Sequence, residues 1–211
     1  MSILPIDTGR YGTKEMLDIF REQKKIDYQL DIEAAAALSQ SEIGLIPASI
    51  AKDISRIAKS GKITAKRIKQ LEAKSDHDTA ALVEALAEKC NKESRPWIHY
   101  GLTSNDLVDT SNSMQMRDAI KIIQPKVSKL SLILAKNAVK HQSVPAVGRT
   151  HGQHASIISF GLKFANWASE MSTHLERLDE IKKRVLICKT LGVVGTGSLM
   201  GKNALKVQER V

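Results

Sequence analysis

Two stretches of helical periodicity, residues 105–141 and 155–189, constrain the fold of this chain more than any other feature. Each is about three times as long as an ordinary helix of about 11–12 residues. Apolar residues recur every three or four positions in both, which predicts amphipathic helices. Pro125 interrupts the first stretch, and we expect a kink or a restart there. Two such helices joined by a short loop predict an antiparallel hairpin from an extended bundle.

The N-terminal half has the same period in shorter segments. One amphipathic stripe runs from Thr13 to Ser39. Further helices are predicted after Pro47, after the candidate N-cap Thr64, and from Asp78 to Cys90. No segment alternates with the period of a β-strand.

The expected fold class is therefore all-α. We expect a small N-terminal helical domain over residues 1–104 and the beginning of a bundle of long antiparallel helices over residues 105–211. The last helical pattern, from Lys202 to Val211, carries no glycine, proline or capping residue at its end. We therefore expect these residues to be part of a longer protein.

The formal net charge of +9 limits the classes of partner. The basic residues are scattered through helical patterns and form no block of five or more, which argues against a nucleic-acid-binding arm. We rank three explanations for the excess of basic residues. A solvated surface comes first, attraction for an anionic substrate second, and affinity for nucleic acid last.

Cysteine usage and the N-terminus indicate the compartment. Cys90 and Cys188 are far apart and form no C-x-x-C motif, which is typical of buried thiols in a reducing compartment. Residues 1–10 lack the apolar core of a signal peptide, and no apolar run approaches the ~18 residues of a membrane span. We expect a cytoplasmic protein.

The segment from His99 to Asp106 is the first candidate for chemistry. Four strong helix-starting residues, Thr103 to Asp106, stand immediately before the first long helix. Unpaired N–H groups and a partial positive charge at a helix start bind phosphate or carboxylate, and the hydroxyls of Thr103 and Ser104 would add donors. The alternative is an ordinary capped helix start in which His99 and Tyr100 only pack.

The segment from Gly148 to Ala155 is the second candidate. His151 follows Thr150 before the second long helix, and an imidazole with an unperturbed pKa of about 6.5 can protonate a leaving nitrogen. His154 lies three residues on, but no third ligand has matching spacing, so we expect no metal. The alternative is a loop or surface imidazole.

Three weaker candidates accompany these segments. Asp76, His77 and Asp78 fall between two predicted helices, where a histidine is normally a cap or a surface residue. Arg10 and Tyr11 precede the first helix, and an arginine there could hold a phosphate with two hydrogen bonds. The glycine-rich turn of residues 192–197 is equally compatible with a helix-breaking loop and with a site.

The segments 97–110 and 148–155 resemble two sequence blocks of the adenylosuccinate lyase family, within the fumarase/aspartase superfamily. The weaker candidates occur in the family's order. The resemblance implies that His151 is the catalytic acid. It also implies substrate contacts for Arg10, Tyr11, Asp76, His77, Asp78, His99, Thr103, Ser104, Thr150 and Gln153. Ser156 and Ile157 depart from the family pattern, which carries an acidic residue and a proline in many members.

The resemblance also implies a reaction and an assembly. The family eliminates fumarate from adenylosuccinate to give AMP, and from SAICAR to give AICAR, without a metal or an organic cofactor. Its sites are shared between the subunits of a homotetramer. The family's loop with the catalytic serine has no counterpart in these 211 residues. We therefore expect this chain alone to lack turnover.

Other functions stay open at this stage. A sister lyase acting on argininosuccinate or a carboxylated muconate would share the superfamily blocks, because specificity depends on pocket shape. A non-catalytic helical protein that binds nucleic acid would explain the charge but not the glycine and histidine blocks. A helical unit that serves only folding or assembly is a third possibility.

Overall fold

The computed structural model describes residues 11–211, which form two compact units. The first unit contains residues 11–116 and 186–211, and the second contains residues 117–185. The fold is all-α apart from one small two-stranded sheet in the described part of the chain. No helix among the described residues is both long enough and apolar enough to cross a membrane.

Five helices form the N-terminal part of the first unit. Aliphatic and alanine side chains from these helices pack into one core, with Ile54, Leu82 and Leu86 at its centre. The helices are α1 (Lys14–Ile19), α2 (Glu22–Glu42), α3 (Ala48–Ala58), α4 (Ala65–Ser75) and α5 (Asp78–Lys89).

The start of α4 follows the predicted capping chemistry. The hydroxyl of Thr64 accepts a hydrogen bond from the N–H of Arg67 at 3.2 Å and caps α4, as the sequence predicts. The single stripe predicted from Thr13 to Ser39 is instead divided between α1 and α2. The division has a local cause, because Arg21 is extended and therefore ends the helical run before α2 begins.

The remaining elements of the first unit lie on either side of the second unit in sequence. A 3₁₀ helix, Lys92–Trp97, leads to α6 (Ser104–Lys140), whose first three turns belong to this unit. After residue 186, a second 3₁₀ helix, Ser198–Asn203, precedes α8 (Ala204–Arg210). Buried Met200, Ala204 and Val207 form a small separate core there.

The second unit contains the rest of α6, strands β1 (Pro145–Thr150) and β2 (Gln153–Ser159), and α7 (Phe160–Val185). The two helices run antiparallel. Gln124 Nε2 donates to Asp179 Oδ1 at 3.0 Å, whereas nearer the hairpin Ser131 Oγ donates to the Ala168 carbonyl at 3.4 Å. The predicted pairing of two long helices is therefore confirmed within this unit.

The connection between these helices differs from the prediction. The second long helix begins at Phe160, not near residue 155, and a β-hairpin replaces the predicted loop. Its strands are antiparallel, and an irregularity after Gly148 leaves Ala155 as an extra residue on β2. Both strands are mostly solvent-exposed, so they lack the alternation of buried and exposed residues that reveals a strand in a sequence.

Two further expectations concern long-range organisation. α6 continues through Pro125 as one helix, so no restart occurs there. The expected division into residues 1–104 and 105–211 stays a prediction, and the two compact units divide the chain elsewhere. The boundary falls within α6, and residues 186–211 belong with the N-terminal helices.

Candidate active site

Two buried polar side chains of α2 anchor the loop that carries His99. Glu33 is 2% exposed. Its Oε2 accepts the backbone N–H of His99 at 3.0 Å, and its Oε1 lies 2.6 Å from His99 Nδ1. Gln40, also buried, donates from Nε2 to the Tyr100 carbonyl at 2.7 Å. Residues seven apart share one face of a helix, so a single face of α2 fixes this loop.

The start of α6 is held by a buried carboxylate. The helix begins at Ser104, within the predicted run of helix-starting residues. Asp106 Oδ2 accepts the N–H of Thr103 at 3.0 Å and the N–H of Gly192 at 2.9 Å. A carboxylate that reaches back to the residue before the helix forms one half of a capping box. The same carboxylate ties the glycine-rich segment to this helix start.

His77 uses its two ring nitrogens differently. Nδ1 accepts the N–H of Ala80 at 3.3 Å and caps α5. Because Nδ1 acts as an acceptor, we assign the ring proton to Nε2. Nε2 lies 3.4 Å from Ser104 Oγ, to which it can donate. His77 therefore caps one helix while it faces the start of another.

Asp76 and Asp78 shape the link on which His77 stands. Asp76 has a positive φ of 50° and ends α4. The carboxylate of Asp78 accepts the N–H of Thr79 at 2.6 Å in the first turn of α5. The Asp76 backbone and the Asp78 carboxylate therefore have local structural roles beside the residue that contacts Ser104.

A cavity of about 200 Å³ lies beside the start of α6, between residues 101–102 and the glycine-rich segment 191–199. Gly192 has a positive φ of 80°, and a Cβ there would lie 3.1 Å from the Gly101 carbonyl oxygen. Glycine is therefore required where the two segments meet. The glycine-rich segment therefore lines this cavity.

The second predicted block lies in the other compact unit. Thr150 and Gln153 pair at the end of the hairpin, and His151 and Gly152 form its two-residue turn. His151 has φ 49° and Gly152 has φ 74°. Two positive φ angles are the requirement of a type I′ turn, the turn that suits the twist of a tight hairpin. The turn places the His151 side chain at the exposed tip of the hairpin.

The structure thus brings together some of the predicted site residues. His77 and Ser104 are in contact, and Thr103 and His99 lie on the same short segment before α6. Thr150, His151 and Gln153 form a separate group on the hairpin. Tyr11 is 73% exposed in the first unit, and Arg10 lies outside the described residues. Among the described residues, no group of three metal-ligating side chains is present.

Sequence analysis missed Glu33 and Gln40. The signal was a polar pair seven residues apart that brackets the alanine run of α2, on a face that must be buried. A polar residue that recurs within an apolar stripe needs a partner, because burial without a hydrogen bond is costly. The sequence alone does not identify the loop of residues 98–101 as that partner.

Comparisons with known proteins show the family of this chain. The profile of a family described as lyase matches residues 9–211. Adenylosuccinate lyase from Methanocaldococcus jannaschii is 44% identical over the whole of this chain, which covers 46% of that protein. N-acetyl-S-(2-succino)cysteine lyase from Enterococcus italicus is 38% identical over 96% of this chain and 44% of its own length. A fumarate lyase structure from Mesorhizobium sp. BNC1 aligns with a TM-score of 0.87 at 32% identity, covering 95% of this chain and 48% of that one.

The helical fold and the family profile that matches residues 9–211 together identify a lyase-type chain. The protein belongs to the lyase family, and it spans about half the length of the relatives that it matches.

Proposed function

We propose that this chain is part of an adenylosuccinate lyase, which eliminates fumarate from adenylosuccinate to give AMP and from SAICAR to give AICAR. The contact of His77 Nε2 with Ser104 Oγ at the start of α6 carries this proposal. It places an imidazole, a hydroxyl and a helix N-terminus together, a combination that suits an anionic substrate. The identity of 44% with the Methanocaldococcus jannaschii enzyme supports the choice of substrate.

The proposed roles divide between the two groups of residues. Thr103 and Ser104 hold carboxylate oxygens of the succinyl group, His77 positions the substrate, and His99 supports its binding. A base, which the family resemblance assigns to the serine loop without a counterpart in these 211 residues, takes the proton beside a carboxylate. This leaves a dianionic carboxylate form, which fixed donors stabilise. The carbon–nitrogen bond then breaks, and His151 protonates the departing nitrogen.

The remaining predicted residues complete the binding site in this proposal. Arg10 and Tyr11 bind the phosphate. Thr150 and Gln153 contact the substrate beside His151. Asp76 and Asp78 support His77 within the binding site.

Elimination from a succinylated thiol is the second candidate. It is favoured by the 38% identity with the Enterococcus italicus protein, whose name specifies a succinylated cysteine. Both reactions would bind the succinyl group in the same way. They would differ in the bond that breaks, which is carbon–nitrogen in one and carbon–sulfur in the other. Only the nucleotide substrate would require a phosphate site at Arg10 and Tyr11.

The purified protein, in the longest form in which it is encoded, tests both candidates. We expect turnover of adenylosuccinate, followed by its absorbance change, and inhibition by AMP. Turnover of N-acetyl-S-(2-succino)cysteine with no effect of AMP would favour the second candidate. Release of fumarate from neither compound would contradict the proposed function.

His151→Ala tests the role of the hairpin histidine. We expect kcat to fall by about 10²–10⁴-fold, the usual contribution of a positioned acid or base, while substrate binding measured by calorimetry is retained. His154→Ala is the matched control, because it removes an exposed imidazole from the same hairpin. Equal turnover by His151→Ala and the wild type would remove His151 from the acid role.

We also propose a homotetramer in the cytoplasm. Exposed apolar side chains on the helices of the second unit support an assembly, since surfaces of this kind mark interfaces. Cys90 and Cys188 are both free thiols, which fits a reducing compartment.

A further inference from the structure

Glu33 is a buried carboxylate whose two oxygens serve one residue. Oε1 lies 2.6 Å from His99 Nδ1, and Oε2 accepts the backbone N–H of His99 at 3.0 Å. The carboxylate is 2% exposed, whereas the His99 side chain is 20% exposed. The pair therefore has a buried end at α2 and a partly accessible end at the imidazole.

These contacts determine where the His99 ring carries a proton. A buried carboxylate acts as a hydrogen-bond acceptor, and it is tolerated only when donors satisfy it. We therefore assign to Nδ1 a hydrogen that points at Glu33. Among the described residues, no hydrogen bond reaches His99 Nε2, so that nitrogen is left for another partner.

The backbone conformation of His99 is an independent indication that its contact with Glu33 is held in place by the surrounding structure. His99 has φ 61°, in the left-handed region that few residues other than glycine adopt. The hydrogen bond from its N–H to Glu33 holds that conformation, and the bond from Gln40 to the next carbonyl fixes the same loop. Strained residues held by a surrounding network occur at functional sites.

We propose that Glu33 is a positioning residue that fixes the Nδ1–H form of His99 and leaves the lone pair of Nε2 to accept a hydrogen bond from an O–H or N–H group of the substrate. Neither Glu33 nor any other part of α2 touches the substrate in this arrangement. Only the effect of Glu33 on turnover, predicted below, rests on the proposed function. The protonation pattern of the ring is a property of the free protein and can be measured without turnover.

The direct test is nitrogen NMR of protein labelled with ¹⁵N at its six histidines. His99→Gln assigns the His99 signals by their loss. We expect Nδ1 of His99 to be protonated in the wild type and this preference to be lost in Glu33→Gln, whose amide keeps the size of the carboxylate without its charge. Glu170→Gln is the matched control, because its exposed carboxylate lies 3.9 Å from His174. It should leave His99 unchanged.

Kinetics supply the second readout. Loss of a buried charged hydrogen bond predicts a fall in kcat/KM of about 10–100-fold for Glu33→Gln. If Glu33 acts through His99, adding Glu33→Gln to His99→Gln costs less than about a further twofold, because the two effects are not additive. A purely structural role would give additive losses.

The outcomes separate this inference from the proposed function. An unprotonated Nδ1 in the wild type, or an unchanged ring in folded Glu33→Gln, overturns the inference even if the protein is an active lyase. The expected ring states in a protein without lyase activity would support Glu33 as the positioning residue and contradict the proposed function. If Glu33→Gln does not fold, the wild-type ring state alone decides.

Discussion

At the scale of single residues, the proposed acid occupies a costly backbone position. His151 lies in the first position of a type I′ turn with φ 49°, where asparagine, aspartate and glycine are preferred. The next residue, Gly152, already has the preferred identity for such a turn. The hairpin would therefore be better specified with asparagine at residue 151, and we propose that histidine is present there for its chemistry.

This conflict predicts that His151→Asn separates stability from activity. We expect the free energy of unfolding to rise by up to about 1 kcal/mol, because asparagine adopts left-handed backbone more readily. We expect turnover to fall as far as in His151→Ala, since an amide cannot supply the proton. Urea denaturation and the fumarate-release assay measure the two effects.

His154→Asn is the control for this pair of effects. It makes the same exchange on β2, outside the turn, and should neither stabilise the protein nor abolish turnover. If His151→Asn keeps its turnover, the reaction does not need an imidazole at this turn. If its free energy of unfolding is lower than that of the wild type, the backbone preference of the turn residue does not determine the stability of the hairpin.

At the scale of elements, the sequence predicts those helices whose apolar stripe is buried. α3 follows Pro47 and α4 follows the cap Thr64, both with such stripes, and α6 begins within the predicted run. The hairpin was missed because its strands are exposed on both faces, and 80%-exposed Ile157 gives no burial signal. The His151-Gly152 pair was the one local sequence signal of a hairpin turn. That signal is weak when the residues on either side do not alternate as strands do.

The same limit applies to the candidate site. Ser104 could be predicted because helix starts have a local signature, and the resemblance added His77. Glu33 could not be assigned, because its partner lies 66 residues away in the sequence. Periodicity marks a residue as buried, but only the packed chain shows which polar group it meets.

Close packing where the hairpin meets α7 requires a residue without a Cβ at Gly161. A Cβ there would press on the carbonyl oxygen of Ala138 and lie 2.9 Å from the backbone of Gln142. Gly161→Ala should lower the free energy of unfolding by about 1–3 kcal/mol through overpacking. This loss exceeds the roughly 0.5–1 kcal/mol that alanine gains over glycine in a helix.

Tryptophan fluorescence can report this effect within the second unit. Of the two tryptophans, only Trp167 lies in that unit, so the measurement uses a Trp97→Phe background. Ala165→Ser adds one atom at an exposed position of α7 and should change stability by less than about 0.5 kcal/mol. An unchanged urea midpoint for Gly161→Ala would mean that α6 and α7 separate easily at this junction.

At the scale of the whole molecule, apolar exposure is concentrated in elements of the second unit. Leu132 is 56% exposed and Val139 is 66% exposed, and they lie seven residues apart on one face of α6. On α7, Trp167 and Leu162 are also exposed. Single exposed apolar residues are ordinary, but a row along a long helix is typical of an interface.

The proposed homotetramer predicts that a charge in this row weakens assembly. Leu132→Glu should shift the protein toward smaller species in sedimentation velocity, because a carboxylate buried in an apolar interface lacks a partner. Ser49→Glu introduces the same charge at an exposed position of α3 and should leave the distribution unchanged. If the wild type sediments as a monomer, the homotetramer is wrong. If the wild type assembles and Leu132→Glu assembles equally well, this face of α6 is not part of the subunit contact.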